Sequence, residues 1–148
     1  MKTILAGLAF LAATVLSVSA QELVQRDSAF SVTETADRLV AAVEGAGATV
    51  FARIDHAQGA RSIDAELDDM QVVIFGNPAI GTPIIASEPT AGLDLPLRVL
   101  IYDDGGQTRL AYEDPRSLRE RRGVEGADEA FTAMNNALER LTTRATTE

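Results

Sequence analysis

Apolar residues recur along this chain with two different periods. From Ser31 the period is helical: Ala36, Leu39, Val40 and Val43 fall at i, i+3, i+4 and i+7 and form one stripe. Ser31 and Glu34 open it with capping-box spacing: a hydroxyl for the free N–H groups of the first turn and a carboxylate that reaches back. Gly45 and Gly47 close it. From Ala48 to Ile54 the period shortens to two, with Val50, Ala52 and Ile54 on one side of a strand and Phe51 on the other. Met70 to Phe75 reads as another strand, stopped by Gly76-Asn77-Pro78. Leu97 to Tyr102 and Thr108 to Tyr112 are two more, joined by the hairpin sequence Asp103-Asp104-Gly105-Gly106. A further strand is expected in the second half of Gln21 to Phe30.

The remaining helices carry weaker signals. Ala60, Ile63 and Leu67 predict a short helix over 57–67 despite Gly59, with Asp68-Asp69 as the turn after it. Thr82 and Pro83 suit a cap and a first helical position, which predicts a helix over 83–87. Asp114-Pro115 starts another that Gly123 ends, and Ala127, Ala130, Phe131, Met134, Leu138 and Leu141 share one face of a last helix. The polar tail from Thr142 is expected to fray. The order is strand, helix, four strands, helices. It argues an α+β fold, a mostly antiparallel sheet backed by helices on one face, in β-α-β(4)-α type order. With 148 residues and no internal repeat, one domain over 21–148 with its core over about 24–141 is expected.

Composition narrows the setting. Lys2, the apolar run Ile4 to Val18 and the small residues Val18-Ser19-Ala20 form a secretory signal over 1–20, which places the mature chain in the periplasm or outside the cell. That run is too short to span a bilayer comfortably, so no stable membrane insertion is expected after cleavage. There is no cysteine, which excludes disulfides and a lipid anchor on an N-terminal cysteine. The formal charge is −9, and once Lys2 leaves with the signal every basic residue is arginine. An acidic domain without lysine is a poor partner for nucleic acid or for an anionic membrane surface. With one histidine in the chain, no multi-histidine metal site can form, and neither a metal nor a cofactor is expected.

Four residues are candidates for chemistry. His56 follows a strand end, with Asp55, Asp64 and Glu66 near in sequence, and could serve in proton transfer. The alternative is a histidine that pins its loop by hydrogen bonds. Asn77 and Thr82 bracket a turn and a helix start, where backbone N–H groups attract anions, although the net negative field of the domain opposes an anionic ligand. Asp94 lies between two leucines and needs a partner, either a ligand or an arginine such as Arg53 or Arg98. No serine or cysteine stands in a recognised nucleophile motif.

The segment from Val72 to Leu100 holds four prolines, three glycines and few charges, and it carries a family resemblance. Phe75-Gly76-Asn77-Pro78, Gly81-Thr82-Pro83 and Leu93-Asp94-Leu95-Pro96, with Asp55-His56 upstream, resemble the bacterial family called domain of unknown function 302. The resemblance spans about Ser31 to Leu118. It implies a compact fold like that of the TATA-binding protein, and frequent dimers, but no established reaction. The favoured reading is an exported accessory module that dimerises, using part of the apolar stretch, and holds a small ligand beside Asn77, Thr82 and Asp94. An enzyme built on His56, or an interaction domain without a ligand, are the alternatives. Cleavage after Ala20 predicts that protein recovered from the cell envelope begins at Gln21. Intact-mass measurement checks this, and a mass that retains residues 1–20 would refute it.

Overall fold

A computed structural model describes residues 23–148, and the signal expected over 1–20, with its expected cleavage after Ala20, lies outside the described residues. Five strands form one antiparallel sheet: β1 (Leu23–Asp27), β2 (Thr49–Asp55), β3 (Met70–Gly76), β4 (Leu97–Asp104) and β5 (Gln107–Glu113), in the order β1-β5-β4-β3-β2. The expected α+β fold is present. The first strand falls in the first half of its segment, because Leu23 to Asp27 pair with Glu113 to Arg109, while Ala29 instead binds the end of the last helix. The tight turn between β4 and β5 is the expected one. Gly105 and Gly106 both take positive φ, +65° and +95°, which a two-residue hairpin of matching twist requires.

Helix α1 (Val32–Gly45) and the long α5 (Asp128–Thr146) pack on each other and cover one sheet face. The Ser31 hydroxyl accepts from the Glu34 N–H, as the capping box requires. Ala36, Leu39 and Val43 are fully buried against Val73, Val99, Ile101 and Leu110 of the sheet, and Met134 and Leu138 complete the core from α5. Helix α5 does not fray at Thr142. Thr142 and Thr146 are buried, and each hydroxyl donates to the carbonyl four residues back, Leu138 at 2.7 Å and Thr142 at 2.9 Å. A threonine satisfied this way can bury its methyl group, so a polar-looking tail extends the core to Ala145.

Two expectations about strand and helix faces need correction. A bulge between Val50 and Ala52 shifts the register of β2. Val50 pairs with the core residue Phe75, but Ile54 pairs with Val72 on the opposite face and is 42% exposed. The extra residue breaks the period of two, so Val50 and Ile54 do not share a side. The helix expected over 57–67 is the shorter α2 (His56–Arg61), and Ile63 and Leu67 beyond it are exposed. Asp64, at φ +56°, lies outside helical geometry.

The face of the sheet away from α1 and α5 carries its own apolar row, Ile54–Val72–Leu100–Ala111 across four strands. The apolar stretch from Val72 to Leu100 thus divides, with Val73, Phe75 and Val99 in the core and Val72, Ile74 and Leu100 on this second face. Leu39 is the centre of the α1 stripe and is wholly enclosed. Leu39→Ala should lower unfolding free energy by about 2–5 kcal/mol through lost burial and a residual cavity. Denaturant melts check this, and a change below about 0.5 kcal/mol, the usual surface value, would take α1 out of the core.

Candidate functional site

A hairpin could join the antiparallel neighbours β3 and β4. Instead the chain makes an excursion from Asn77 to Pro96 that carries α3 (Pro78–Ser87) and a 3-10 turn (Pro89–Leu93). Helix α3 begins five residues before the expected start. Asn77 is its cap, the side-chain oxygen accepting from the Ala79 N–H at 2.9 Å, and Pro78 takes the first helical position. Thr82 is therefore an interior residue and not a cap, and Pro83 lies inside the helix. A proline there removes one backbone donor, which a ten-residue helix packed against α5 tolerates.

The excursion returns close to where it left. A methyl group on Gly76 would lie 3.4 Å from the Pro96 side chain and 3.6 Å from the Phe51 ring, so the absent side chain lets Pro96 close over β3. Between this closure, the end of α1 and one face of α5 lies a groove of about 460 Å³. Its wall on the excursion side is built from Gly76, Asn77, Pro78, Thr82, Leu95 and Pro96. Its other wall includes Met134, Ala137 and Leu141, and its lining is mainly apolar. Phe51 and Ile85, 59% and 37% exposed, stand in it with their rings and methyls open to solvent. Arg140 and Arg144 are the ionisable residues in the lining. The volume falls within the usual range for small-molecule sites.

The four sequence candidates do not converge. Asn77 and Thr82 line the groove, and His56 and Asp94 do not. His56 is exposed at the start of α2, and no hydrogen bond joins it to Asp55, Asp64 or Glu66 among the described residues. The Asp55 carboxylate is used locally, accepting from the Gln58 N–H at 2.7 Å as the cap of α2. Asp94 pairs with neither Arg53 nor Arg98. It accepts from Arg121 Nη2 at 2.9 Å and Arg122 Nε at 2.5 Å, both on α4 (Pro115–Arg122), while Arg121 also binds Glu113. Arg53 is taken by Gln71 and Asp37. Burial pushes the Asp94 carboxyl up, but the two guanidinium hydrogen bonds outweigh it and hold the group below the ordinary aspartate range. Asp94 is thus the clasp that ties the excursion to α4. No cluster of three or more metal-ligating side chains forms among the described residues.

Phe51, Arg140 and Arg144 were missed in the sequence. Arg140 and Arg144 are spaced i, i+4 beside Ala137 and Leu141 on an otherwise apolar face, a pattern visible in the sequence once a cavity is known to face it.

The family model for "Domain of unknown function DUF302" matches residues 24–141. A protein of Brucella suis named fluoride-specific ion channel FluC 1 is 40% identical over 114 residues, which is 76% of this chain and 45% of that one. The Brucella melitensis protein named FluC 2 matches at the same identity over 42% of its length. The chain thus spans less than half of these curated relatives. A crystal structure of an uncharacterised conserved DUF302 protein from Bacillus stearothermophilus superposes with a TM-score of 0.75 at 17% identity, covering 83% of this chain and 97% of the other. At that identity the likeness concerns the fold.

Asp94→Asn keeps shape and removes the charge. Because the folded-state carboxyl titrates below its unfolded value, its contribution is complete above about pH 5 and is lost as pH falls through the folded value. The variant should lose about 1–3 kcal/mol at neutral pH. The gap from wild type should narrow as the pH falls below the ordinary aspartate range, which melts taken down into acid will read. A gap that is absent at neutral pH, or unchanged in acid, would show that the clasp contributes no stability.

Proposed function

The chain belongs to the DUF302 family, and on that premise we propose that it is an accessory module that binds a small, largely apolar molecule in the groove between the Asn77–Pro96 excursion and α5. The observation that carries this reading is the construction of the wall. The family-like motifs Phe75-Gly76-Asn77-Pro78, Gly81-Thr82 and Leu95-Pro96 meet around one cavity, though they are separated along the chain. Scaffolding alone does not call for Phe51 and Ile85 to stand exposed beside that cavity, whereas a site that buries an apolar ligand does.

The named relatives support the accessory part of the reading. In them, a stretch like this one makes up less than half of a protein named as a fluoride-specific ion channel. Among the described residues here, no helix is long and apolar enough to cross a membrane. The resemblance therefore bears on a module attached to the rest of such a protein and does not make this chain a channel. An enzyme built on His56 draws no support from the geometry, since its neighbouring carboxylates do not orient it.

The neutral dye N-phenylnaphthylamine, which brightens in apolar surroundings, tests the groove. Wild-type protein should show a saturable rise in fluorescence. Ala137→Trp, which places an indole in the cavity from a half-buried position on α5, should abolish that rise and leave the melting temperature within a few degrees. Leu23→Ser on the opposite side of the sheet should bind as wild type does. Binding that survives Ala137→Trp, or that Leu23→Ser removes, would refute the groove as the site.

A further inference from the structure

Resting on the groove reading above, we infer that the ligand is a free amphipathic organic anion: an apolar body in the groove and one carboxylate or sulfonate held at its rim by Arg140 and Arg144. Most arginines of this chain are committed to carboxylates, as Arg26 is to Glu139, Arg53 to Asp37 and Arg119 to Asp128. The side chains of Arg140 and Arg144 are different. Among the described residues neither has an ion pair or a hydrogen bond, and both are exposed. One helical turn apart on α5, their side chains share one face, with Cβ atoms about 5–6 Å apart. That is close enough for both to meet one anionic group.

Among the described residues no aspartate or glutamate lines the groove to neutralise the pair. In a chain of formal charge −9, two adjacent unpaired guanidiniums at the mouth of an apolar cavity select the sign of the occupant. Arginine suits this task, because its planar fork meets a carboxylate or sulfonate with two hydrogen bonds. The apolar floor beneath, from Met134, Ala137, Ile85 and Leu95, fixes which end of the molecule goes in. A neutral molecule would leave the two charges unused. An inorganic anion would leave the apolar floor uncovered.

Two dyes that differ by the anionic group separate this inference from the groove reading. Anilinonaphthalene sulfonate carries the skeleton of N-phenylnaphthylamine with one sulfonate added. The double variant Arg140→Gln/Arg144→Gln should bind the sulfonate dye about ten-fold more weakly, as two partly exposed ion pairs together allow. It should bind the neutral dye within two-fold of wild type. Arg140→Lys/Arg144→Lys, which keeps both charges but not the planar forks, should recover part of the loss, and unchanged binding of the neutral dye by the glutamine variant shows that it has not simply misfolded. Raising sodium chloride should weaken the sulfonate dye alone. If the glutamine variant weakens both dyes equally or neither, the anion inference falls and the groove stands. If neither dye binds wild type, both fall. Vesicles of dioleoyl phosphatidylglycerol provide the last arm. Protein that pellets with them in an Arg140- and Arg144-dependent way would show that the pair meets a membrane surface and not a free molecule, and would overturn the assignment.

Discussion

The return of the chain from α3 to β4 is the constraint on which the rest of this structure depends. Between two neighbouring antiparallel strands the excursion from Asn77 to Pro96 must leave the sheet, cross toward α5 and come back in register. Three contacts hold it. Asn77 caps α3 at the departure, Pro96 packs over Gly76 at the return, and the Asp94 carboxylate binds Arg121 and Arg122 of α4. The third is the strongest kind available at a surface, a carboxylate with two charged donors and little remaining exposure. Since Arg121 also binds Glu113 at the end of β5, the clasp joins the excursion to the strand on the far side of β4. The groove exists because this segment is held away from the sheet at its middle and against it at both ends.

The two faces of the sheet follow from the same topology. Helices α1 and α5 cover one face and bury Val73, Val99, Ile101 and Leu110. Without the bulge between Val50 and Ala52, β2 would present its residues in strict alternation. With it, Arg53 shares the helix face with Val73 and reaches Gln71 and Asp37, while Ile54 joins Val72 and Leu100 on the other. A charged residue on the core side of an edge strand is tolerated because its guanidinium lies at the periphery with three acceptors in reach.

The fold was legible in the sequence wherever one physical cause decided an element. The α1 stripe, its Ser31–Glu34 cap, the Gly105-Gly106 hairpin and the apolar face of α5 from Ala130 on each depend on local spacing alone and stand where the pattern places them, whereas Ala127, expected on that face, is the left-handed residue just before the helix. What was not legible depended on competition or on distance. Two prolines, Pro78 and Pro83, and two capping residues, Asn77 and Thr82, compete for the helix start, and tertiary packing selected the earlier one, which turned Thr82 from a cap into a wall residue. The threonines near the C-terminus look like a polar tail until back-bonding to carbonyls is counted. The partner of Asp94 was 27 and 28 residues away, beyond any spacing rule. The candidate site was half visible. Asn77 and Thr82 lie in the motif and in the groove, but Arg140 and Arg144 come from an element that carries no motif.

The sign of charge at the groove shows why whole-chain composition is a poor guide to a site. The acidic balance of this chain argues against an anionic ligand only if every charge acts equally on the groove. It does not, because exposed charges are screened over roughly 8 Å at physiological ionic strength. Many of the acids are also already engaged: Asp37, Glu139, Asp128 and Asp94 face arginines, and Asp55 and Glu88 cap helical turns. What a molecule entering the groove meets first is therefore local: an apolar floor and two guanidiniums that, among the described residues, have no carboxylate partners. The net charge governs approach from a distance and the general reluctance to bind polyanions. Within a few ångströms the arrangement on α5 governs, and the charged side chains that line the groove among the described residues are Arg140 and Arg144.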